Sequence, residues 1–476
     1  MDSLTLEGRF PSRSVVAATG RPRVLVPRSP QPVPQAALPG DFPYAHQLLQ
    51  AVLKGPNLAE FQAENDDPDY RPGDRLVVKD GRRVIAHLRL SRRNVRLAGE
   101  TLPLGVLDQL VTAPEFHGRG LATALVEEGQ RRLARDGMLA VTAETSIPGF
   151  FRRFDFATCG RHCYSVAAPE MVRAAVDDAT PLTPWQELLA HRCPLTVRLF
   201  RRVELAALAL CYENRVHWAC GAADRNEDRW TWLIRRRACE RILIVFTGED
   251  ELPFSQAEER ILGYAAMRGP RIVELAVREG PHAELARKSL LWRACGDAIE
   301  RDHYQVRYDG PPNDQVHAAF QLAGGSRCYA EADRGALRML KLFDPIKALR
   351  RLKPVFARRG ARALPLLADL NGDAAARPAP ARPRLGLLLG GGIVTISLTD
   401  GAVETAARPP ATGFLALDRS ELARLVFGHF CAREAAAAGR ISVSSETALT
   451  IAEHLFPKAP LYFPPWDDLE SRPSVY

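Results

Sequence analysis

Apolar and polar positions change period repeatedly along this chain, from the two-residue alternation of strands to the three-to-four spacing of helices. Ala45–Leu53 has helical spacing. Arg75–Leu90 holds two alternating runs around Asp80-Gly81, which predicts a hairpin. Leu104–Thr112 is a further strand, a long helix follows from about Arg119 to Arg135, and Met138–Ala143 is a strand again. Arg161–Ala167 is expected to close a mixed sheet crossed by helices, spanning residues 22–168. Before it, residues 1–21 read as disordered or extended, and Arg23–Pro27 as a short opening strand.

A second unit of similar size and order covers residues 194–332. It has a helix at Ala206–Asn214, strands at Arg241–Phe246, Ile261–Met267 and Ile272–Val277, and a long helix at Ala283–Arg301. The repetition suggests a degenerate internal duplication. A third region, 337–476, is expected to open with a helix at Leu342–Leu352. It continues with two strands around Gly390-Gly-Gly, a capped helix from Asp418 and a helix at Thr447–Phe456.

Composition adds little. A 46% apolar fraction suits a folded protein, and 476 residues suit about three domains. No apolar run reaches 18 residues and the N-terminus is not a secretory leader, so the expectation is a cytoplasmic protein without a membrane partner. The net charge of +8 comes with no nucleic-acid-binding signature, and nucleic acid is set aside. Nine scattered cysteines form no disulfide framework. Cys159, His162 and Cys163 lie close together but lack a fourth ligand, so no metal is expected.

One segment carries chemistry. A strand ending at Leu110-Val111-Thr112 runs through a turn into a helix beginning Leu121-Ala122-Thr123. The turn reads Ala113-Pro114-Glu115-Phe116-His117-Gly118-Arg119-Gly120. A helix N-terminus presents unpaired N–H groups and a positive dipole end, and glycines let a pyrophosphate approach the backbone. His117 and Arg119 are candidate phosphate contacts. The matching turn of the second unit, Arg278–Leu285, carries Glu279 and Glu284, which would repel an anion.

His117-Gly118-Arg119-Gly120-Leu121-Ala122 resembles motif A of the GNAT acetyltransferase superfamily, with His at a position usually Arg or Gln. Phe150-Phe151-Arg-Arg-Phe-Asp-Phe156 is similar to a second GNAT segment. With a degenerate second unit, a region similar to sterol carrier proteins and the tail Ala459–Trp466, the chain resembles the enhanced-intracellular-survival (Eis) acetyltransferases. The resemblance implies an α+β protein with two tandem GNAT-like units and a sterol-carrier-protein-like α/β domain. It implies acetyl-CoA held by residues 110–112 and 117–123, and direct transfer in a ternary complex to a primary amine, either a small molecule or a lysine. It also implies a homo-oligomer, a hexamer in that family.

The catalytic groups follow the resemblance less closely. The family's proton donor is a Tyr where this chain has Phe151, beside Phe150 at the acceptor pocket; Ser146 and Tyr164 are substitutes. The family's base is the terminal carboxylate, here that of Tyr476, with Asp467 or Asp468 in its place if the tail overshoots. Glu144, at a strand end, is a second candidate base. Because Phe151 cannot donate a proton, a rival reading is an acetyl-CoA sensor or scaffold with little catalysis, and a lower one is a lipid-binding protein.

Overall fold

The computed structural model describes residues 33–178, 195–248, 256–329, 337–370, 383–410 and 412–468. Residues 1–21, Arg23–Pro27 and Tyr476 lie outside them. The first strands are β1 (Gln35–Ala36), β2 (Arg75–Asp80), β3 (Arg83–Leu97), β4 (Glu100–Thr112), β5 (Ala140–Thr145), β6 (Ala157–Arg161) and β7 (Cys163–Ala167). The second group is β8 (Leu195–Leu199), β9 (Cys220–Ala223), β10 (Arg241–Thr247), β11 (Ile261–Arg268), β12 (Arg271–Val277), β13 (Val306–Asp309), β14 (Ser326–Tyr329) and β15 (Leu337–Leu342). The last are β16 (Arg384–Leu389), β17 (Gly392–Ser397), β18 (Val403–Ala406), β19 (Phe414–Ala416) and β20 (Ser442–Val443).

The predicted hairpin is β2–β3, with Asp80 opposite Arg83. The first sheet runs β1-β2-β3-β4-β5-β15-β6, with β9 added to β3. The Leu121–Arg135 helix covers it, burying Leu121, Leu125, Val126 and Leu133. Contact is close because Gly129 and Gly105 bring the helix and sheet together, with Leu88, Leu90 and Leu107 around Gly129 and Leu133 against Gly105. The second sheet runs β14-β7-β13-β12-β11-β10-β8. The third, β18-β17-β16-β19-β20, contains the hairpin turned at Gly390-Gly391.

Two expectations need correction. The strand expected to close the first unit does not: β7 pairs with β13 and β14 in the second sheet. The first sheet is completed instead by β15, antiparallel to both β5 and β6. The helix expected from Leu342 therefore starts at Pro345, capped by Asp344, whose side chain accepts from the Lys347 N–H. Leu337, Met339, Leu340 and Leu342 are buried in the first sheet, which explains the apolar run. Each unit thus contains a strand drawn from beyond its own stretch of sequence.

Residues 461–467 are strapped across the units. Leu461 bridges Cys220, and the Tyr462 N–H donates to the Cys220 carbonyl at 2.8 Å. Trp466 is buried against Trp230 and Tyr264. Among the described residues no helix is long and apolar enough to cross a membrane.

Candidate active site

The central feature is a V between two parallel strands. β4 and β5 pair from Leu104 opposite Ala140 to Leu107 opposite Ala143, and there the pairing ends. Beyond that point the strands part, leaving Asp108–Thr112 on one side and Glu144-Thr145 on the other. The Ala113 N–H donates across to the Ile85 carbonyl of β3 at 2.8 Å. In an antiparallel ladder successive N–H groups alternate in direction, so Leu110 and Thr112 turn theirs toward the V.

From Thr112 the chain makes a single 3-10 turn at Pro114–Phe116 and reaches the helix at Leu121. Gly118 and Gly120 have φ of 75° and 80°, in the left-handed region that favours glycine. A Cβ at either would meet no heavy atom within 4 Å, so the glycines keep the approach to the backbone open. No acidic residue stands in the helix's first turn. That leaves the helix N-terminus suited to an anion. The helix of the second unit has Glu284 there.

His117, Gly118, Arg119 and Gly120 are exposed, Leu121 is buried, and Ala122 and Thr123 are half-buried. His117 Nε2 bonds the Thr112 carbonyl at 3.0 Å, tying the turn to the strand end. Arg119 lies 4.8 Å over the Phe116 ring. Val111 is buried in the core between sheet and Phe42–Leu53 helix, so it supports the site by packing.

A cleft of about 320 Å³ opens at the V. Its wall brings together Asp108, Leu110, Glu144, Ser146, Phe151, Arg338 and Asp468. Phe151 is 4% exposed and packs edge-on against Phe150 and Phe156. Tyr164 is not at this cleft: it lies on β7 beneath the Arg307 guanidinium, 4.0 Å from its ring. Of the two substitute proton donors, only Ser146 reaches the cleft wall. Cys159 and Cys163 are buried apart from this cleft, and His162 bonds Asp309.

Three charged residues here were missed or underrated in the sequence. Arg338 of β15 donates to Glu144 at 2.7 Å and to Asp468 at 3.0 Å. Arg93 of β3 donates to the same Asp468 at 2.9 Å. Burial alone would raise the Asp468 carboxyl, but Arg93 and Arg338 together hold it well below the ordinary carboxylate range. Asp468 is therefore a poor base. Asp467 points elsewhere, into a buried cluster with Arg225 at 2.8 Å.

Asp108 is the third. Its side chain is 46% exposed toward the cleft and lies 3.6 Å from Arg89. Desolvation between the cleft walls pushes its carboxyl up; Arg89 opposes this and Glu64 adds to it. Only its place on β4, two residues before Leu110, marked it in the sequence.

Residues 35–159 match the acetyltransferase (GNAT) domain family, and residues 388–464 match the sterol carrier protein domain family. The first unit is a GNAT acetyltransferase domain. With that domain the chain is assigned as an acyltransferase, and it carries a sterol carrier protein domain towards its C-terminal side. Among curated proteins none matches the chain. Three solved structures share the fold along most of their length. A probable N-acyltransferase from Enterococcus faecalis is 13% identical, with 90% of this chain and 96% of that one covered at a TM-score of 0.62. A GCN5-related N-acetyltransferase from Kribbella flavida is 16% identical over 90% and 98% at 0.61. Eis1 from Mycobacterium abscessus is 14% identical over 90% and 97% at 0.57. At these identities the likeness is one of fold.

Proposed function

We propose that this GNAT protein moves an acetyl group from acetyl-CoA to a primary amine by direct transfer in a ternary complex. The observation that carries the reading is the junction of the open glycine turn at 117–120 with the V where β4 and β5 part. The pyrophosphate would lie on the N–H groups of the turn and the Leu121–Arg135 helix. The thioester carbonyl would then enter the V and accept from the Leu110 or Thr112 N–H. The acceptor would arrive past Asp108, half exposed to the cleft, beside Glu144 and Asp468, whose charges Arg338 and Arg93 offset.

Transfer needs the amine unprotonated and the departing thiolate protonated. Asp108 is our candidate base, because its carboxyl opens on the cleft and burial raises it above the ordinary carboxylate value. Glu144, ion-paired to Arg338, orients the acceptor. The terminal carboxylate of Tyr476 is the rival base, and Ser146, alone or through water, is the candidate donor to the thiolate. Deleting residues 469–476 tests the rival: loss of transfer with intact cofactor binding selects Tyr476, and unchanged transfer removes it, leaving Asp108 to be tested by Asp108→Asn.

A second reading has one observation behind it. Phe151 puts a buried phenyl ring where the resemblance implies a Tyr, which suits an acetyl-CoA sensor with little turnover. Thiol release from acetyl-CoA, measured against a panel of polyamines, lysine peptides and aminoglycosides, decides between the two. Release with any of them supports the transferase; tight binding with no release throughout supports the sensor.

A further inference from the structure

Behind the cofactor strand lies a buried polar cluster that the chemistry above does not use. The β3–β4 register steps from His87 opposite Val111 to Arg89 opposite Asp108, so Gln109 and Leu110 together face the single residue Leu88. That is a β-bulge, a device that re-aims a strand. Gln109 takes a φ of 52°. A residue with a Cβ holds that left-handed conformation only where its surroundings over-determine it.

Here they do. Gln109 Nε2 donates to Glu64 Oε1 at 2.6 Å, and its Oε1 accepts from Arg75 Nη1 at 3.1 Å. Its main-chain carbonyl bonds His87 Nδ1 at 3.0 Å, and its N–H donates to Asp108 Oδ1 at 2.7 Å. Arg75 in turn donates to Glu64 at 2.7 Å and Asn65 at 3.0 Å, and lies 3.9 Å over the Phe61 ring. The Glu64 and Arg75 side chains are wholly buried. Arg75 can only donate, so the His87 Nε2 facing it at 3.4 Å is an acceptor and Nδ1 carries the proton. Burial, with Arg75 alongside, drives His87 down to about 3, so the ring keeps this tautomer through the neutral range.

Buried ion pairs of this kind stabilise a fold no better than well-packed apolar residues of similar volume. What this one does is local: it turns the Gln109 carbonyl toward His87 and fixes where β4 resumes at Leu110. We propose that Gln109, clamped by Glu64, Arg75 and His87, is a positioning residue that aims the Leu110 and Thr112 N–H groups at the thioester carbonyl. The clamp also joins the Leu58–Asn65 helix, which supplies Phe61, Glu64 and Asn65, to the cofactor strand. The inference rests on the acetyl-CoA reading above.

The test is the infrared stretch of acetyl-CoA labelled with carbon-13 at the thioester carbonyl, bound to the full chain, with Gln109→Gly and Gln109→Asn. Both residues tolerate positive φ and neither reaches Glu64 and Arg75 together, so both should fold, as thermal unfolding will check. Bound to the parent protein, the carbonyl should stretch at lower frequency than in free acetyl-CoA. Both variants should lose most of that shift, and kcat should fall roughly tenfold or more. The coenzyme A Kd, set by the turn at 117–120, should stay within about threefold. A folded variant with an unchanged stretch and kcat would overturn the clamp alone. Failure of the parent protein to bind acetyl-CoA would overturn the clamp and the acyltransferase reading together.

Discussion

Arg338 and Glu144 stand directly opposite each other on β15 and β5, and the guanidinium donates to the carboxylate at 2.7 Å. The contact joins residues 194 positions apart, across the strand that enters the first sheet after the whole second unit has been traversed. Because Arg338 also holds Asp468 and lies 4.3 Å over the Phe463 ring, one side chain ties the cleft wall to the segment 463–468. Replacing it by Ala should leave coenzyme A affinity unchanged and slow transfer about tenfold, roughly 1.4 kcal/mol of transition-state stabilisation. Steady-state kinetics with calorimetric coenzyme A titration checks this, and a parallel loss of cofactor affinity would count against it.

Asp108→Asn should lower kcat by about a hundredfold or more if Asp108 is the base. The sign with pH follows from its raised carboxyl. The base works ionised, so the rate falls as pH drops through a value above the ordinary 3.8. The variant should lack that acid limb. A pH–rate profile of the variant that keeps the parent's acid limb assigns it to another group.

His87 should make the first sheet acid-sensitive. An unfolded imidazole takes a proton below about 6.5, whereas the folded ring resists until about 3. Over that window the unfolded state binds more protons, so stability falls as pH falls, by up to about 1.4 kcal/mol per pH unit. Denaturant unfolding between pH 6.5 and 4.5 should show a steeper loss in the parent than in His87→Gln. Equal slopes would show that the ring is not held neutral.

The strap at residues 461–467 should be structural. Asp467 accepts from Arg225, and Arg225 lies 5.4 Å over the Trp466 ring. Asp467→Ala leaves a buried guanidinium with one carboxylate fewer and should cost about 3 kcal/mol. Its Tm, read by calorimetry, should drop clearly; an unchanged Tm would mean the strap is dispensable.

The glycine turn between β4 and the Leu121–Arg135 helix was legible in the sequence because its determinants are local: glycines at fixed spacing between an apolar strand and an amphipathic helix. The β2–β3 hairpin and the Gly390-Gly391 turn were legible for the same reason. The exchange of β7 and β15 was not, since strand pairing partners lie far away in sequence and Leu337–Leu342 alternates like any strand. The cleft wall was only partly legible. Asp108, Arg338 and Asp468 come from three distant segments, and nothing local distinguishes them from solvated surface charges. Tyr164 shows the converse: a plausible donor by residue type was carried into the other sheet by its strand.

Acetyl-CoA should bind at the turn 117–120. Calorimetric titration of acetyl-CoA into the full chain and into Gly120→Glu tests it most directly. A Cβ there meets open space but is held at a φ of 80°, a strain of about 1–3 kcal/mol that thermal unfolding of the variant will measure, while the carboxylate would sit where the pyrophosphate must approach. Binding to the parent should be saturable, and the variant should lose about a hundredfold or more in affinity. Equal affinity for the two would contradict it.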